Sequence, residues 1–302
     1  MDVALLWIPA TLIAAAGQTA RNAMQRQLTA AIGTVAATQV RFLYAAPFSV
    51  VFLMIVLGAT GEGLPRPGHG FAAFLLLGGA TQIVATGLML AAMRARSFSV
   101  VTALIKTEPV LIAVAGFLIL GDRLGGTAVA GIGLATLGVV AVSWTPKVSS
   151  GLLQSGAAPI VLGLAAGGLF AFSAIGFRGA ILALEGGSFL VRATTVLVCG
   201  LLLQTAILAV WMAAFDRRAF TASLSQWRRS LGAGFLGAFT SQFWFIGFAL
   251  TAAANVRTLA LVEVAMALAV SRRFMAQASS REELVGLGLI VAGVACLLVS
   301  AV

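Results

Sequence analysis

Long uninterrupted runs of apolar residues alternate along this chain with short polar or glycine-rich connections. A helix needs about 20 apolar residues to cross the hydrocarbon core of a bilayer. The runs are continuous, not alternating, which favours helices over the strands of a membrane barrel. The pattern predicts an all-α membrane protein with ten transmembrane helices, at roughly residues 3–25, 35–58, 70–93, 98–120, 126–144, 157–180, 188–215, 230–251, 254–275 and 284–302.

The composition excludes an ordinary soluble domain. Of the 302 residues, 61% are hydrophobic and 9% are charged, whereas about a quarter of a typical soluble domain is charged. A net charge of +10 would suggest nucleic acid binding in a soluble protein. Here the arginines cluster at predicted helix ends, where they contact lipid headgroups and set orientation. Membrane lipids are therefore expected partners, and nucleic acid is not.

The second half of the chain repeats the first. The run GIGLATLGVVAVS at 131–143 is similar to GLGLIVAGVACLLVS at 286–300, and three glycines coincide after a shift of 155 residues. The sequence thus predicts two five-helix repeats, 1–145 and 157–302, in one membrane domain. Because five is odd, the second repeat must enter the membrane from the opposite side. Such inverted repeats are the construction of many secondary transporters.

Glycines also recur on one face of the fifth and tenth predicted helices. Gly131 and Gly138 are seven residues apart, as are Gly286 and Gly293. Small residues on one face let helices approach closely in lipid. We expect these two helices to be packing elements outside the transport pathway, and their glycine faces could form the interface of a homodimer.

Two acidic residues lie near the middle of predicted helices, and the repeat shift places Glu108 on Glu263. Placing a charged side chain at that depth costs about 2.5 kcal/mol or more of free energy unless it is paired or in contact with water, so such residues are functional candidates. Lys106 could neutralise either one. A pair with Glu263 across the repeats is favoured, because Lys106 and Glu108 are two residues apart and do not share a helix face. Two interpretations stay open: a structural ionic brace, and direct contact with substrate or ion. Pro109 frees a backbone carbonyl and predicts a hinge.

Uncharged polar and aromatic residues in the other apolar runs could line a cavity between the repeats. They can bind a polar ligand or provide stacking surface, although each amide could instead form an interhelical hydrogen bond, worth about 0.6 kcal/mol on average. Arg41 and Arg192 are interpreted as interfacial anchors, or as guards of a mouth for an anionic or zwitterionic substrate. The candidates for the substrate site are Gln18, Tyr44, Gln82, Thr86, Lys106, Glu108, Gln242, Trp244 and Glu263.

The segment ALIKTEPVLIAVAGFLILGDRL at 103–124, followed by a glycine-rich apolar helix, resembles the fourth and fifth helices of the drug/metabolite transporter superfamily, in its ten-helix EamA-type branch. The Glu108-Pro109 pair matches the family's pattern, and the Gly-Asp turn that follows is a conservative variant. The second copy departs from it, with Val264 in place of the proline. The resemblance implies a multi-pass protein of the cell (inner) membrane that exports or exchanges small metabolites, amino acids or drugs.

The leading hypothesis is a secondary transporter of a small metabolite, an amino acid or related compound, with alternating access around a midplane cavity. A proton-coupled exporter of lipophilic or cationic drugs would use the same architecture, and a non-transporting scaffold is the alternative from another class. An enzyme is not expected, because no nucleophile with a base and no metal triad occurs at helical spacing. No metal or cofactor is predicted: His69 is a lone histidine in a loop, and both cysteines lie in apolar runs.

Charge also predicts the orientation. Short loops rich in Lys and Arg stay cytoplasmic. With the predicted helices, thirteen basic residues, including Arg21 and Arg41, lie on the side opposite the chain ends. Five, including Arg178 and Arg257, lie on the side of the ends. The charge pattern therefore predicts that both termini face outward, against the usual orientation in the superfamily that the sequence resembles.

Overall fold

The structure is a computed structural model that describes residues 3–95, 101, 104–106, 108–143, 158–264 and 281–300. After a 3₁₀ turn at Val3–Leu6, the helices of these residues are α1 (Trp7–Ile32), α2 (Thr34–Leu43), α3 (Ala46–Thr60), α4 (Phe71–Ala95), α5 (Glu108–Ala115), α6 (Gly126–Ser143), α7 (Ala158–Leu182), α8 (Phe189–Phe215), α9 (Arg217–Ser225), α10 (Trp227–Leu250), α11 (Ala253–Leu259) and α12 (Arg281–Val299). A π-helical segment, Gly116–Leu120, continues α5, and two short strands are β1 (Arg66–Pro67) and β2 (Leu184–Glu185).

Six stretches of the described residues are long and apolar enough to cross a membrane, and they coincide with six of the predicted helices: Val3–Ile32, Thr34–Thr60, Phe71–Arg94, Ile160–Leu182, Phe189–Phe215 and Ser230–Leu250. Three shorter apolar helices occupy the fourth, fifth and tenth predicted runs: Glu108–Leu120, Gly126–Ala141 and Leu284–Val299. The ninth predicted run is described only as far as residue 264. The all-α membrane fold is confirmed, and the count of ten helices stays a prediction.

The outer surface of the bundle is apolar. Leu118, Val210 and Phe117 are 72%, 71% and 62% exposed. So much exposed apolar surface would make a soluble protein aggregate. In a bilayer the same side chains face lipid tails, which is the expected environment of a membrane helix.

Helices α6 and α12 cross at their glycines. A Cβ atom on Gly131 would lie 2.6 Å from the carbonyl oxygen of Gly293, and one on Gly138 would lie 2.6 Å from that of Gly286. The contacts are reciprocal, as in a pair of elements related by a two-fold axis. The predicted packing role is confirmed. The two glycine faces meet within one chain, so a homodimer would have to use another surface.

One side of the bundle, named here the strand face, is tied together by loops. Strands β1 and β2 pair antiparallel, with Arg66 opposite Glu185. The backbone N–H of Ser188, at the start of α8, donates a hydrogen bond of 2.5 Å to a carboxylate oxygen of Glu62. A carboxylate is favourable at that place because the first N–H groups of a helix lack partners in the helix.

A second tie on the strand face, the Arg178 clamp, joins three segments. Arg178 of α7 holds both carboxylate oxygens of Asp122, at 3.1 and 2.9 Å. Its guanidinium also donates to the backbone carbonyls of Phe248 and Thr251, at 2.6 and 2.5 Å, where α10 ends. Bidentate pairs of this kind are among the strongest polar contacts in proteins. The clamp therefore joins α7 to the turn after the π-helical segment and to the end of α10.

Four arginines that the sequence analysis counted among the loops are inside the protein. Arg21, Arg41 and Arg178 are buried, and Arg257 forms an ion pair with the buried Glu108. Counting these four as charges of the loops or headgroup region is wrong, because hydropathy does not distinguish an arginine at a helix end from one that faces the bundle interior. The alternative for Arg41, a guard of the cavity mouth, stays a prediction. The exposed arginines of the described loops and helix ends still lie mainly opposite the strand face: Arg26, Arg94, Arg217, Arg218 and Arg228, against Arg66 and Arg123.

The sequence analysis did not predict helix α9. The side chain of Asp216 accepts a hydrogen bond of 3.0 Å from the N–H of Ala219 and so caps its first turn. Arg217 and Arg218 are exposed, whereas Ser223 is buried against the bundle. This amphipathic helix is therefore typical of one that lies along a membrane surface.

Candidate functional site

A narrow cavity lies where α1, α2, α4, α7, α10 and α11 meet the turn before α5. It measures about 40 Å³, which is room for one to about three water molecules. Aromatic and methionine side chains form its apolar wall: Met89, Met93, Phe170, Phe177, Trp244, Phe245 and Phe248. Its polar side chains are Gln18, Arg21, Asn22, Arg41, Gln82, Lys106, Glu108, Ser173, Ser241 and Arg257.

Two ion pairs cross between the predicted repeats at this cavity. Lys106, in the turn before α5, pairs with Glu263, which is the cross-repeat partner that the sequence spacing favours. Glu108, the first residue of α5, accepts from Arg257 of α11 at 3.1 Å. All four side chains are largely buried, so removing one partner leaves an uncompensated charge and costs about 3–5 kcal/mol. The two ion pairs agree with a structural brace, and direct contact of the carboxylates with substrate stays a prediction.

The helices are interrupted next to both carboxylates. Lys106 lies in a turn, and Pro109 is in the first turn of α5, where its missing N–H removes no helical hydrogen bond. In the second copy, α11 ends at Leu259, and the N–H of Glu263 bonds to the carbonyl of Ala260 at 3.1 Å, a 3₁₀-type contact. The interruptions are equivalent under the 155-residue shift, although Val264 stands in the second copy where the first has Pro109. The hinge role of Pro109 stays a prediction.

A hydrogen-bonded group joins α1 to α10. The indole N–H of Trp244 donates to the side-chain oxygen of Gln18 at 3.2 Å, and Arg21 donates to the same oxygen. Arg21 also donates to the hydroxyl of Ser241 at 3.2 Å. The guanidinium of Arg257 stacks over the indole ring, 4.3 Å from its centroid, a cation–π contact that holds it beside the cavity.

Five of the predicted site residues therefore line one cavity, namely Gln18, Gln82, Lys106, Glu108 and Trp244. Glu263 joins them through its ion pair with Lys106. Gln82 also accepts a hydrogen bond of 2.7 Å from Gln204 of α8, which ties α4 to that helix.

The other three predicted residues do not line the cavity. Gln242 donates to the hydroxyl of Thr194 at 2.8 Å, an interhelical hydrogen bond between α10 and α8. The hydroxyl of Tyr44 donates to the backbone carbonyl of Ser223 at 3.0 Å and so fastens α9 to the bundle. Thr86 is fully buried in α4, and its hydroxyl has no hydrogen-bond partner among the residues that the structure describes.

Sequence reasoning missed Arg21 and Arg257 as cavity residues and left Arg41 as an anchor or a mouth guard. A signal for Arg21 was present, because it lies three residues after Gln18 and residues at that spacing share a helix face. Arg257 lies inside an apolar run, three residues past its predicted start. The boundary of a predicted helix is uncertain by several residues, so the sequence does not show whether Arg257 lies inside the helix or at its end.

Residues 5–144 match the EamA-like transporter family. This match spans the first predicted repeat and supports the predicted relationship to the drug/metabolite transporter superfamily. The matched family is one of transporters and not of enzymes. The ten-helix branch stays a prediction.

A comparison with curated proteins finds no match to the chain. A solved structure, titled only as the crystal structure of a protein, is similar with a TM-score of 0.65 and 16% sequence identity. The similarity covers 99% of this chain and 98% of the other. At that identity it demonstrates a shared fold along the whole chain and carries no information on activity.

Proposed function

We propose that this protein is a secondary transporter of a small metabolite, an amino acid or a related compound, in the cell (inner) membrane. Transport would proceed by alternating access to the cavity between two inverted repeats, 1–145 and 157–302. The observation that carries the proposal is the polar cavity bridged by the two ion pairs between those repeats, Lys106–Glu263 and Glu108–Arg257. The family match of residues 5–144 supports it.

The size of the cavity supports a mechanism in which the repeats move. About 40 Å³ admits waters but not a metabolite, so the surrounding helices must separate before a substrate can enter. Ion pairs suit this task because they can exchange partners with a charged or polar substrate. The ties of the strand face, with the Arg178 clamp among them, would hold that side shut while the other side opens.

The alternatives agree less well with the cavity. A cationic drug would meet Arg21, Arg41, Lys106 and Arg257, and like charges at close range cost several kcal/mol. A scaffold gives no reason for a cavity with this polar lining in the interior of a membrane protein.

Counterflow in proteoliposomes tests the proposal. Vesicles with purified protein are loaded with unlabelled amino acids, and the accumulation of labelled amino acids is compared with that of a fluorescent cationic dye. We expect amino acid accumulation by the wild type and by the Arg94→Gln variant, a control at an exposed arginine outside the cavity and the strand face. Glu108→Gln should be at least tenfold slower. Dye uptake without amino acid uptake would favour the drug exporter, and flux of neither would favour the scaffold.

A further inference from the structure

Two arginines of the cavity have no acidic partner within the part of the chain that the structure describes. Arg21 is 4% and Arg41 is 9% exposed, and both line the cavity. Arg21 contacts the neutral side chains of Gln18 and Ser241, and Arg41 donates to the side-chain oxygen of Gln25 at 3.2 Å. Neither forms an ion pair with a described carboxylate.

The charges of the cavity therefore do not cancel. Glu108 neutralises Arg257, and Glu263 neutralises Lys106, which leaves the two positive charges of Arg21 and Arg41. An arginine side chain does not lose its proton in a protein. A buried charge in the membrane interior is costly when it is uncompensated. No carboxylate of the described residues balances these two arginines, and a bound anion would.

The geometry of the two groups suits such an anion. The Nε atom of Arg21 is buried and has no hydrogen-bond partner among the described residues. Arg21 lies within electrostatic reach of both Arg41 and Arg257, so the guanidinium groups repel one another. Guanidinium groups bind carboxylates through paired, directional hydrogen bonds. The side chains of Phe170, Phe177 and Phe245 face the same space and offer contact to a carbon body.

We infer that the ligand of this cavity is a small organic acid with net negative charge, whose carboxylate is bound by Arg21 and Arg41 together. The inference rests on the proposed transport function and narrows its substrate class from amino acids in general to acidic ones and other organic acids. A neutral amino acid carries an ammonium group as well as a carboxylate, so it would leave the net charge of the cavity unchanged.

Thermal unfolding of the purified protein in detergent tests this inference. Succinate, glutamate, leucine and inorganic phosphate are compared as added ligands at constant ionic strength, kept with chloride. We expect succinate and glutamate to raise the melting temperature by several degrees and leucine to leave it unchanged. Equal stabilisation by leucine, stabilisation by phosphate alone, or no shift with either acid would overturn the inference.

Variants separate binding from a purely structural role. Arg41→Gln and Arg21→Gln should each weaken the apparent affinity for succinate about tenfold to a hundredfold, the range for a lost charge-assisted hydrogen bond. Each should also raise the melting temperature without ligand, because an uncompensated buried charge is gone. Arg94→Gln, at an exposed arginine, is the control and should change neither. Lower melting temperatures with an unchanged succinate response would show a structural role and overturn the inference.

Counterflow shows whether the inferred anionic ligand or the proposed transport function is contradicted. Accumulation of labelled leucine, without accumulation of labelled succinate or glutamate, would support the proposed transport function and overturn the inference of an anionic ligand. Stabilisation by succinate and glutamate without counterflow of any compound would support the anion site and contradict transport.

Discussion

We predict that the two members of the ion pair between Glu108 and Arg257 differ in how much their loss destabilises the protein. The two members of an isolated ion pair would not differ in this way. Glu108→Gln removes one of two negative charges from a cavity that already has two surplus positive charges, and it leaves Arg257 unpaired. Arg257→Gln instead leaves Glu108 in a cavity where Arg21 and Arg41 still provide positive charge. The carboxylate variant should therefore destabilise the protein more than the arginine variant.

The magnitude follows from the burial of the pair. Glu108 is 4% exposed, and breaking a buried pair costs about 3–5 kcal/mol. Glutamine retains an oxygen that can accept from Arg257, so we expect the lower end, about 3 kcal/mol for Glu108→Gln. A loss of this size lowers the melting temperature by about 6–12 °C for a domain of around 200 residues. The double variant should recover part of the loss, because neither charge is left alone.

The assay is thermal unfolding of the wild type, both single variants and the double variant in the same detergent, with Arg94→Gln as an exposed control. A larger loss for Arg257→Gln than for Glu108→Gln would refute the surplus of positive charge. A double variant whose loss equals the sum of the single losses would show that the two side chains do not interact.

Three further predictions concern the packing, the closed face and the orientation. Gly131→Leu should lower the yield of folded protein in size-exclusion chromatography because its side chain meets the backbone of α12, whereas Gly133→Leu, with open space around it, should not; equal yields would contradict the packing. Asp122→Asn should loosen the Arg178 clamp and raise the alkylation of single cysteines placed in the strand-face loops, and unchanged labelling would show that other ties suffice. A C-terminal alkaline phosphatase fusion should be active and a fluorescent-protein fusion dark, because exposed arginines lie mainly opposite the strand face; the reverse pattern would refute outward-facing termini.

The long helices were predictable because their cause is local. A span needs only a sufficient run of apolar residues, and the runs around α4, α7 and α8 are visible without any tertiary information. Helix α9 was missed because its nine residues are amphipathic, so their mean hydropathy is not that of a span. Its contact with Tyr44 is a tertiary feature that no local pattern reveals.

The site was predictable only in part. Glu108 and Glu263 stood out because carboxylates are rare in apolar segments, and the repeat shift linked them. Arg21 and Arg257 did not, because an arginine near a helix end usually reaches the membrane interface. The distinction depends on which side of the helix faces protein, and that follows from packing between distant segments, such as the contact of Arg257 with Trp244.

Alternating access to the cavity is the central claim, and accessibility measured from each side of the membrane tests it most directly. Ser173 lines the cavity and is buried, so Ser173→Cys reports on it after Cys199 and Cys296 are replaced by alanine. The variant is reconstituted in vesicles and treated with a membrane-impermeant maleimide from outside or inside, during exchange of glutamate. We expect labelling from both sides, with both rates reduced at saturating glutamate. Labelling from one side only, with or without glutamate, would contradict the account.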